Sequence, residues 1–239
     1  ENRVDLIITS PPYDNMREYN KSSTWNFDVF KNIAKELQRV LKDGGVIVWI
    51  VNDTTIKGSE TGTSFKQALY FKEIGLNLHD TMIWKKESNP FIHKNRYINI
   101  FEYMFVFSKE KPKTTNLIKD RKNKYGGTKI HGTLRQKDGS LRPPTRIGKE
   151  IKEYGSRFNV WEINTEKQNK TKHPAVFPIK LVQDHIISWS NENDTILDCF
   201  MGSGTTGLAC RNLNRKFIGI EIDKEYFDIA ENRIINTTN

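Results

Sequence analysis

The chain has 239 residues, a formal net charge of +9 and only two cysteines, Cys199 and Cys210. That length suits one sizeable α/β core with insertions, whereas apolar runs such as Val46–Val51 are far too short to span a bilayer, and no charged-then-apolar leader marks it for secretion. Neither cysteine stands in a CxxC or Cys/His ligand spacing and the five histidines are scattered, so no metal site is expected and a reduced, cytoplasmic setting fits.

In chain order, Val4–Thr9 is a continuous apolar strand, the pattern of a parallel strand covered on both faces. It runs straight into Ser10-Pro11-Pro12-Tyr13. Phe30, Ile33, Ala34, Leu37, Val40 and Leu41 recur at helical spacing, and Asp43-Gly44-Gly45 is expected to stop that helix with a left-handed glycine cap. Val46–Val51 reads as the next buried strand, Phe65–Ile74 as a helix ending at Gly75, and the residues around His79–Trp84 as a strand. Ile100–Phe107 is another strand. With no long helix before it, an antiparallel pair at one sheet edge is expected.

From Lys109 to Lys172 the periodicity collapses while glycines and charges rise. This segment holds 18 Lys/Arg against 7 Asp/Glu, and the remainder holds 20 against 22. All of the net positive charge therefore lies in one stretch, as expected of a polyanion-binding insertion on a nearly neutral scaffold. A solvated lysine-rich loop is the plain alternative. Regular alternation then returns with a helix over Ile179–Trp189, a strand Thr195–Asp198, a helix after Gly204, a strand Phe217–Ile222 and a helix from Glu225.

The pattern predicts a doubly wound, mostly parallel sheet with a basic insertion. Residues 1–108 and 173–239 would form two halves of one domain, with 109–172 inserted between them. Their strand ends would face one crevice at the topological switch point.

Two motifs carry chemistry. Gly202-Ser-Gly204-Thr-Thr-Gly207 opens a helix after a strand, and Glu221 follows nineteen residues after Gly202. Glycines let the backbone turn tightly against a ligand, and a strand-end carboxylate can accept hydrogen bonds from ribose hydroxyls. By itself this fits a dinucleotide fingerprint equally well, or a turn that merely packs. It is not a phosphate loop of the Gly-Lys-Ser/Thr type.

Ser10-Pro11-Pro12-Tyr13 suits the grip of a flat, amino-bearing ring. The exocyclic nitrogen of cytosine or adenine is a poor nucleophile because its lone pair is delocalised. The Ser10 hydroxyl and Pro11 carbonyl can accept the amino hydrogens on a backbone that proline holds rigid, and Tyr13 can stack on the ring.

With Asp198 and Phe200 directly ahead of the glycines, the run Asp198-x-Phe200-x-Gly202-x-Gly204-Thr205 resembles the S-adenosylmethionine loop of DNA amino-methyltransferases, with Cys199 where proline is usual. Lys172-His173-Pro-Ala-Val-Phe177-Pro178 is similar to that family's segment over the methionine end of the cofactor. Arg96-Tyr97, Glu102–Lys109 and Asn159-Val-Trp161-Glu-Ile also look like family segments. The catalytic-first, cofactor-last order is that of the β group.

The resemblance implies an enzyme that moves a methyl group from S-adenosylmethionine to a base swung out of double-stranded DNA. It assigns Ser10, Pro11, Pro12 and Tyr13 to catalysis. It assigns Asp198, Phe200, Gly202, Ser203, Gly204, Thr205, Glu221, Asp223, His173 and Phe177 to the cofactor. Arg121, Lys122, Lys124, Lys129, Arg135, Lys137, Arg142 and Arg146 then become DNA contacts, mainly to phosphates.

Ser10 leans toward cytosine N4, since adenine-N6 enzymes of the family more often carry Asp there; adenine is the near alternative. Dimers are common in the group, and a cognate restriction endonuclease is a partner the resemblance admits. A catalytically dead DNA-binding subunit is the non-enzymatic rival, and a nicotinamide oxidoreductase is the rival enzyme. Family members commonly carry a Gly-Asp-type segment before the catalytic strand. Here the chain opens at Glu1 without it, which points to a trimmed chain or a missing edge strand on the adenine side.

Overall fold

Val4–Thr9 forms strand β1 in the interior of a seven-stranded sheet, apolar but for half-buried Asp5 and buried Thr9. The computed structural model describes residues 2–12, 25–87, 94–165 and 177–236. After β1 come helix α1 (Phe27–Val40), β2 (Leu41–Val51), a small hairpin of β3 (Thr55–Ile56) and β4 (Ser59–Glu60), α2 (Thr63–Glu73), β5 (Asn77–Lys85) and β6 (Phe101–Ser108). Four two-residue strands follow: β7 (Arg121–Lys122), β8 (Leu134–Arg135), β9 (Leu141–Arg142) and β10 (Tyr154–Gly155). The chain ends with β11 (Val160–Glu162), α3 (Ile179–Trp189), β12 (Thr195–Asp198), α4 (Thr205–Asn212), β13 (Lys216–Gly219) and α5 (Lys224–Asn236). These elements divide into a larger unit, residues 1–116 with 159–239, and a smaller one, Leu117–Phe158.

The sheet order is β11-β5-β6-β2-β1-β12-β13. Every neighbouring pair is parallel except those of β6, which runs antiparallel to both β2 and β5. The β5–β6 pair is therefore antiparallel as expected but does not form the edge. Three residues from within the Lys109–Lys172 segment, β11, pair with β5 and take that place, so that part of the segment belongs to the sheet. Buried Trp161 anchors β11; so short a strand leaves no periodic signal in the sequence.

The continuous apolar runs are explained by alternation with both faces covered. Leu6 and Ile8 pack with Val46, Val48 and Ile50 against Leu181, Val182 and Ile186 of α3 and Ala209 of α4. Ile7 packs with Ile47, Trp49 and Val51 against Phe30, Ala34 and Leu37 of α1 and Phe71 of α2. Asn26 caps α1 by accepting from the Asp28 and Val29 amides at 3.0 Å each.

That helix stops at Val40, before the glycines credited with ending it, and β2 already begins at Leu41. Asp43-Gly44-Gly45 instead forms an irregularity in the strand, where the pairing jumps from Val4↔Leu41 to Leu6↔Val46. Gly44 has φ +78, and a Cβ there would come within 2.4 Å of the Lys113 side chain. At the other end of the chain, β13 stops at Gly219, short of the expected Ile222. Asp223 then caps α5 through the Glu225 and Tyr226 amides.

From β1 the chain passes through α1 to β2 on one side, and from β12 through α4 to β13 on the other. The carboxyl ends of β1 and β12 therefore meet at the switch point. Among the described residues no helix is long and apolar enough to cross a membrane.

The smaller unit is an antiparallel arm. Strand β7 pairs with β10, Lys129 bridges Glu150, and β8 pairs with β9. Its turn closes where Asp138 accepts from the amide and hydroxyl of Ser140 at 2.9 and 2.7 Å. No residue of Leu117–Phe158 is buried. Without a buried face nothing selects alternation in the sequence, which is why the ladder is invisible there.

Candidate active site at the carboxyl edge of the sheet

Thr9, the last residue of β1, is fully buried, and its hydroxyl donates to Asp198 Oδ1 at 2.7 Å. The same carboxylate accepts from the Phe200 amide at 3.1 Å and from the Thr206 hydroxyl at 2.6 Å. Asp198 thus organises the loop and ties it to β1. Burial raises its carboxyl from 3.8 to about 6, against the lowering effect of these three donors.

The glycine loop is held from three sides. Gly202 and Gly204 have φ +50 and +78, and the Gly204 amide donates to the Met201 carbonyl at 2.8 Å. Glu221, two residues past β13, accepts from the Gly202 amide at 2.9 Å and from the Asp223 amide at 3.0 Å through different oxygens. From α5, Arg233 Nη1 reaches the Ser203 carbonyl at 2.5 Å and the Ser203 hydroxyl at 2.9 Å, with Thr205 Oγ1 at 3.5 Å. Ser203 and Thr205 are therefore buried supports of the loop. Phe200 meets Trp25 edge-on at 5.5 Å between ring centroids, and Trp49 lies at 6.5 Å.

On the other flank of β1, Pro11 and Pro12 line a shallow open depression with Val51, Asn52, Thr63, Ser64 and Gln67. Its walls are fixed by polar bonds. Gln67 accepts from the buried Trp49 indole at 2.8 Å, and Asp53 accepts from the Ser64 amide at 3.0 Å and from its hydroxyl. Ser10 is half-buried and follows β1, which lies between β2 and β12 in the sheet. Phe177 packs on the core 6.3 Å from Trp84. Tyr13 and His173 lie outside the described residues.

Burial pushes the Cys199 and Cys210 thiols up to about 12, so both are poor nucleophiles. No cluster of metal ligands occurs among the described residues.

This arrangement fits an adenosyl cofactor. Each Glu221 oxygen accepts one amide and keeps lone-pair capacity for a ribose hydroxyl. The loop is bent into a left-handed turn that leaves its backbone close to any ligand. Thr9, Thr206, Arg233 and Trp25 were not singled out by the sequence. Thr9 looked like the end of an apolar strand, and Arg233 like one more charge on a terminal helix.

In the arm, Lys122, Lys124, Lys129, Arg135, Lys137, Arg142 and Arg146 are exposed. Arg121 differs: it donates to the Ser156 carbonyl at 2.9 Å and lies 4.5 Å over the Phe158 ring. Arg157, absent from the predicted contacts, pairs with Asp120.

A family model described as DNA methylase matches residues 4–232. The orphan methyltransferase M.BamHII of Bacillus amyloliquefaciens is 56% identical over 98% of this chain and 89% of its own length. The type II methyltransferase M.SmaI of Serratia marcescens is 27% identical over 97% of this chain and 84% of its own.

Among solved structures, an M1.HpyAVI–SAM complex superposes with a TM-score of 0.64 at 31% identity, covering 97% of this chain and 89% of that one. The cytosine-N4-specific PvuII DNA methyltransferase superposes at 0.71 with 23% identity, covering 100% and 82%, a likeness of fold.

Proposed function

This chain belongs to the DNA methylase family of S-adenosylmethionine-dependent amino-methyltransferases, and from that premise we propose that it methylates cytosine N4 in duplex DNA. The observation that carries the reading is the meeting of Ser10-Pro11-Pro12 with the Phe200–Gly204 loop across the buried Thr9–Asp198 bond. When bound, the cofactor supplies an electrophilic methyl group on a sulfonium. Gly202 and Gly204 would hold its methionine part, Glu221 its ribose and Phe200 one wall of the pocket. Asp223 would lie near the adenine while capping α5.

The Ser10 hydroxyl and Pro11 carbonyl accept the amino hydrogens of the base and draw its nitrogen toward tetrahedral geometry. Tyr13 stacks on the ring, replacing part of what the base lost on leaving the helix. The nitrogen sheds its proton after methylation, so the residues need only to position it. Serine at position 10, where adenine enzymes more often carry aspartate, supports cytosine. The exposed cations of the arm, from Lys122 to Arg146, supply phosphate contacts. A relative named an orphan methyltransferase favours action without a cognate endonuclease.

The test is mass spectrometry of nucleosides after incubation of mixed-sequence duplex DNA with methyl-labelled S-adenosylmethionine. The expected product is N4-methylcytosine. Label in N6-methyladenine would overturn the choice of base, and cofactor binding without any labelled nucleoside would overturn the DNA reading.

A further inference from the structure

Backbone pairing between β1 and β12 is registered at Leu6↔Ile196 and Ile7↔Leu197. Beyond it the chain enters the Ser10–Pro12 segment on one strand and the glycine loop on the other. Just there Thr9 Oγ1 and Asp198 Oδ1 meet at 2.7 Å, joining residues 189 apart in sequence. Asp198 is tied to its own loop by Phe200 N and Thr206 Oγ1. The Thr9 hydroxyl, which also accepts from the Cys199 thiol at 3.8 Å, is therefore a side-chain strut between the two motifs. Valine has the same shape, suits a buried strand as well and brings no polar group to satisfy. Strand formation alone does not account for a hydroxyl with no exposure to solvent.

We propose that Thr9 is a positioning residue for methyl transfer, fixing through Asp198 the distance between the Ser10–Pro12 segment and the Phe200–Gly204 loop. This rests on the reading of that segment as the holder of the base and that loop as the cradle of the cofactor. A shift of about 1 Å between the two costs on the order of 100-fold in rate.

The experiment compares Thr9→Val, Thr9→Ser and Thr206→Val in the full chain. It measures thermal unfolding, calorimetric affinity for S-adenosylhomocysteine and single-turnover methyl transfer to DNA. Thr9→Val is expected to keep its affinity for S-adenosylhomocysteine and to transfer about 10- to 100-fold more slowly. Thr9→Ser, which retains the hydroxyl, is expected to restore most of the rate. Thr206→Val, which loosens the loop alone, is expected to lose affinity as well. Thr9→Ala carries the same comparison if Thr9→Val does not fold.

A hydroxyl-free variant that transfers at the wild-type rate overturns the proposal. So does a Thr9→Ser enzyme as slow as Thr9→Val, or a Thr9→Val enzyme whose loss lies wholly in cofactor affinity. A wild-type chain that transfers no methyl group counts against the proposed function instead.

Discussion

Burial holds the Asp198 carboxyl near 6, although Thr206, Thr9 and the Phe200 amide all donate to it. Desolvation outweighs three hydrogen bonds because the whole side chain is out of water, and Glu221 adds repulsion. The sign of the consequence follows from proton linkage. The folded state binds this proton more tightly than the unfolded chain, so Asp198 contributes stability below pH about 3.8. That contribution is lost as pH rises through about 6, and the difference is on the order of 3 kcal/mol. Asp198→Asn removes the titration. The melting temperature of the wild type relative to Asp198→Asn should therefore fall between pH of about 4 and 6.5 and level off above. A pH-independent difference would show that Asp198 does not titrate in this range. Near neutral pH the site thus keeps an ionised carboxylate at a cost in stability, and that charge is what receives the Thr9 strut.

Helix α5 is the template for the glycine loop. A Cβ on Gly204 would fall 2.8 Å from Ala230 Cβ and 3.0 Å from its Cα, and one on Gly207 would fall 2.3 Å from Ile234 Cδ1. Ala230, Arg233 and Ile234 share one face of that helix, with Arg233 bonded to Ser203. The glycines therefore serve close helix-to-loop packing as well as the turn. Gly204 is the harder of the two to replace. Its neighbour is backbone-proximal and its φ is +78, whereas the nearest atoms at Gly207 are side-chain atoms of Ile234 and Phe217. Gly204→Ala should destabilise the fold by about 1–3 kcal/mol in urea unfolding. It should also weaken S-adenosylhomocysteine binding at least about tenfold, measured by calorimetry, the equivalent of about 1.4 kcal/mol. Wild-type affinity in that variant would separate the loop from the cofactor.

On the scale of the whole molecule, the charge is concentrated in an arm that has no core. Leu117–Phe158 carries twelve Lys/Arg against four Asp/Glu, with no buried residue. Backbone ladders, the Arg157–Asp120 pair and the Arg121–Phe158 contact hold it together. Changing Lys122, Lys124, Arg135 and Lys137 to Gln should weaken DNA binding and leave cofactor affinity intact. The slope of log K against log salt should lose about 0.9 for each phosphate contact removed, as read by fluorescence anisotropy. An unchanged slope would remove the arm from the binding surface.

Much of this was legible in the chain itself. Continuous apolar runs announced β1 and β2 as strands buried on both faces, and the glycine motif announced a tight turn ahead of a helix. Each is a property of a short window, where side-chain period and backbone preference act locally. The glycine motif alone left two cofactors open, and the residues Asp198 and Phe200 ahead of it favoured the one the family uses. What the window could not hold was decided by tertiary structure. Placing β6 between β2 and β5, recruiting β11 to the edge, and setting Arg233 on Ser203 all depend on how distant elements pack. The same holds for the Thr9–Asp198 bond, since no local rule relates residues 189 apart, and only the closed parallel sheet brings that hydroxyl within reach of that carboxylate.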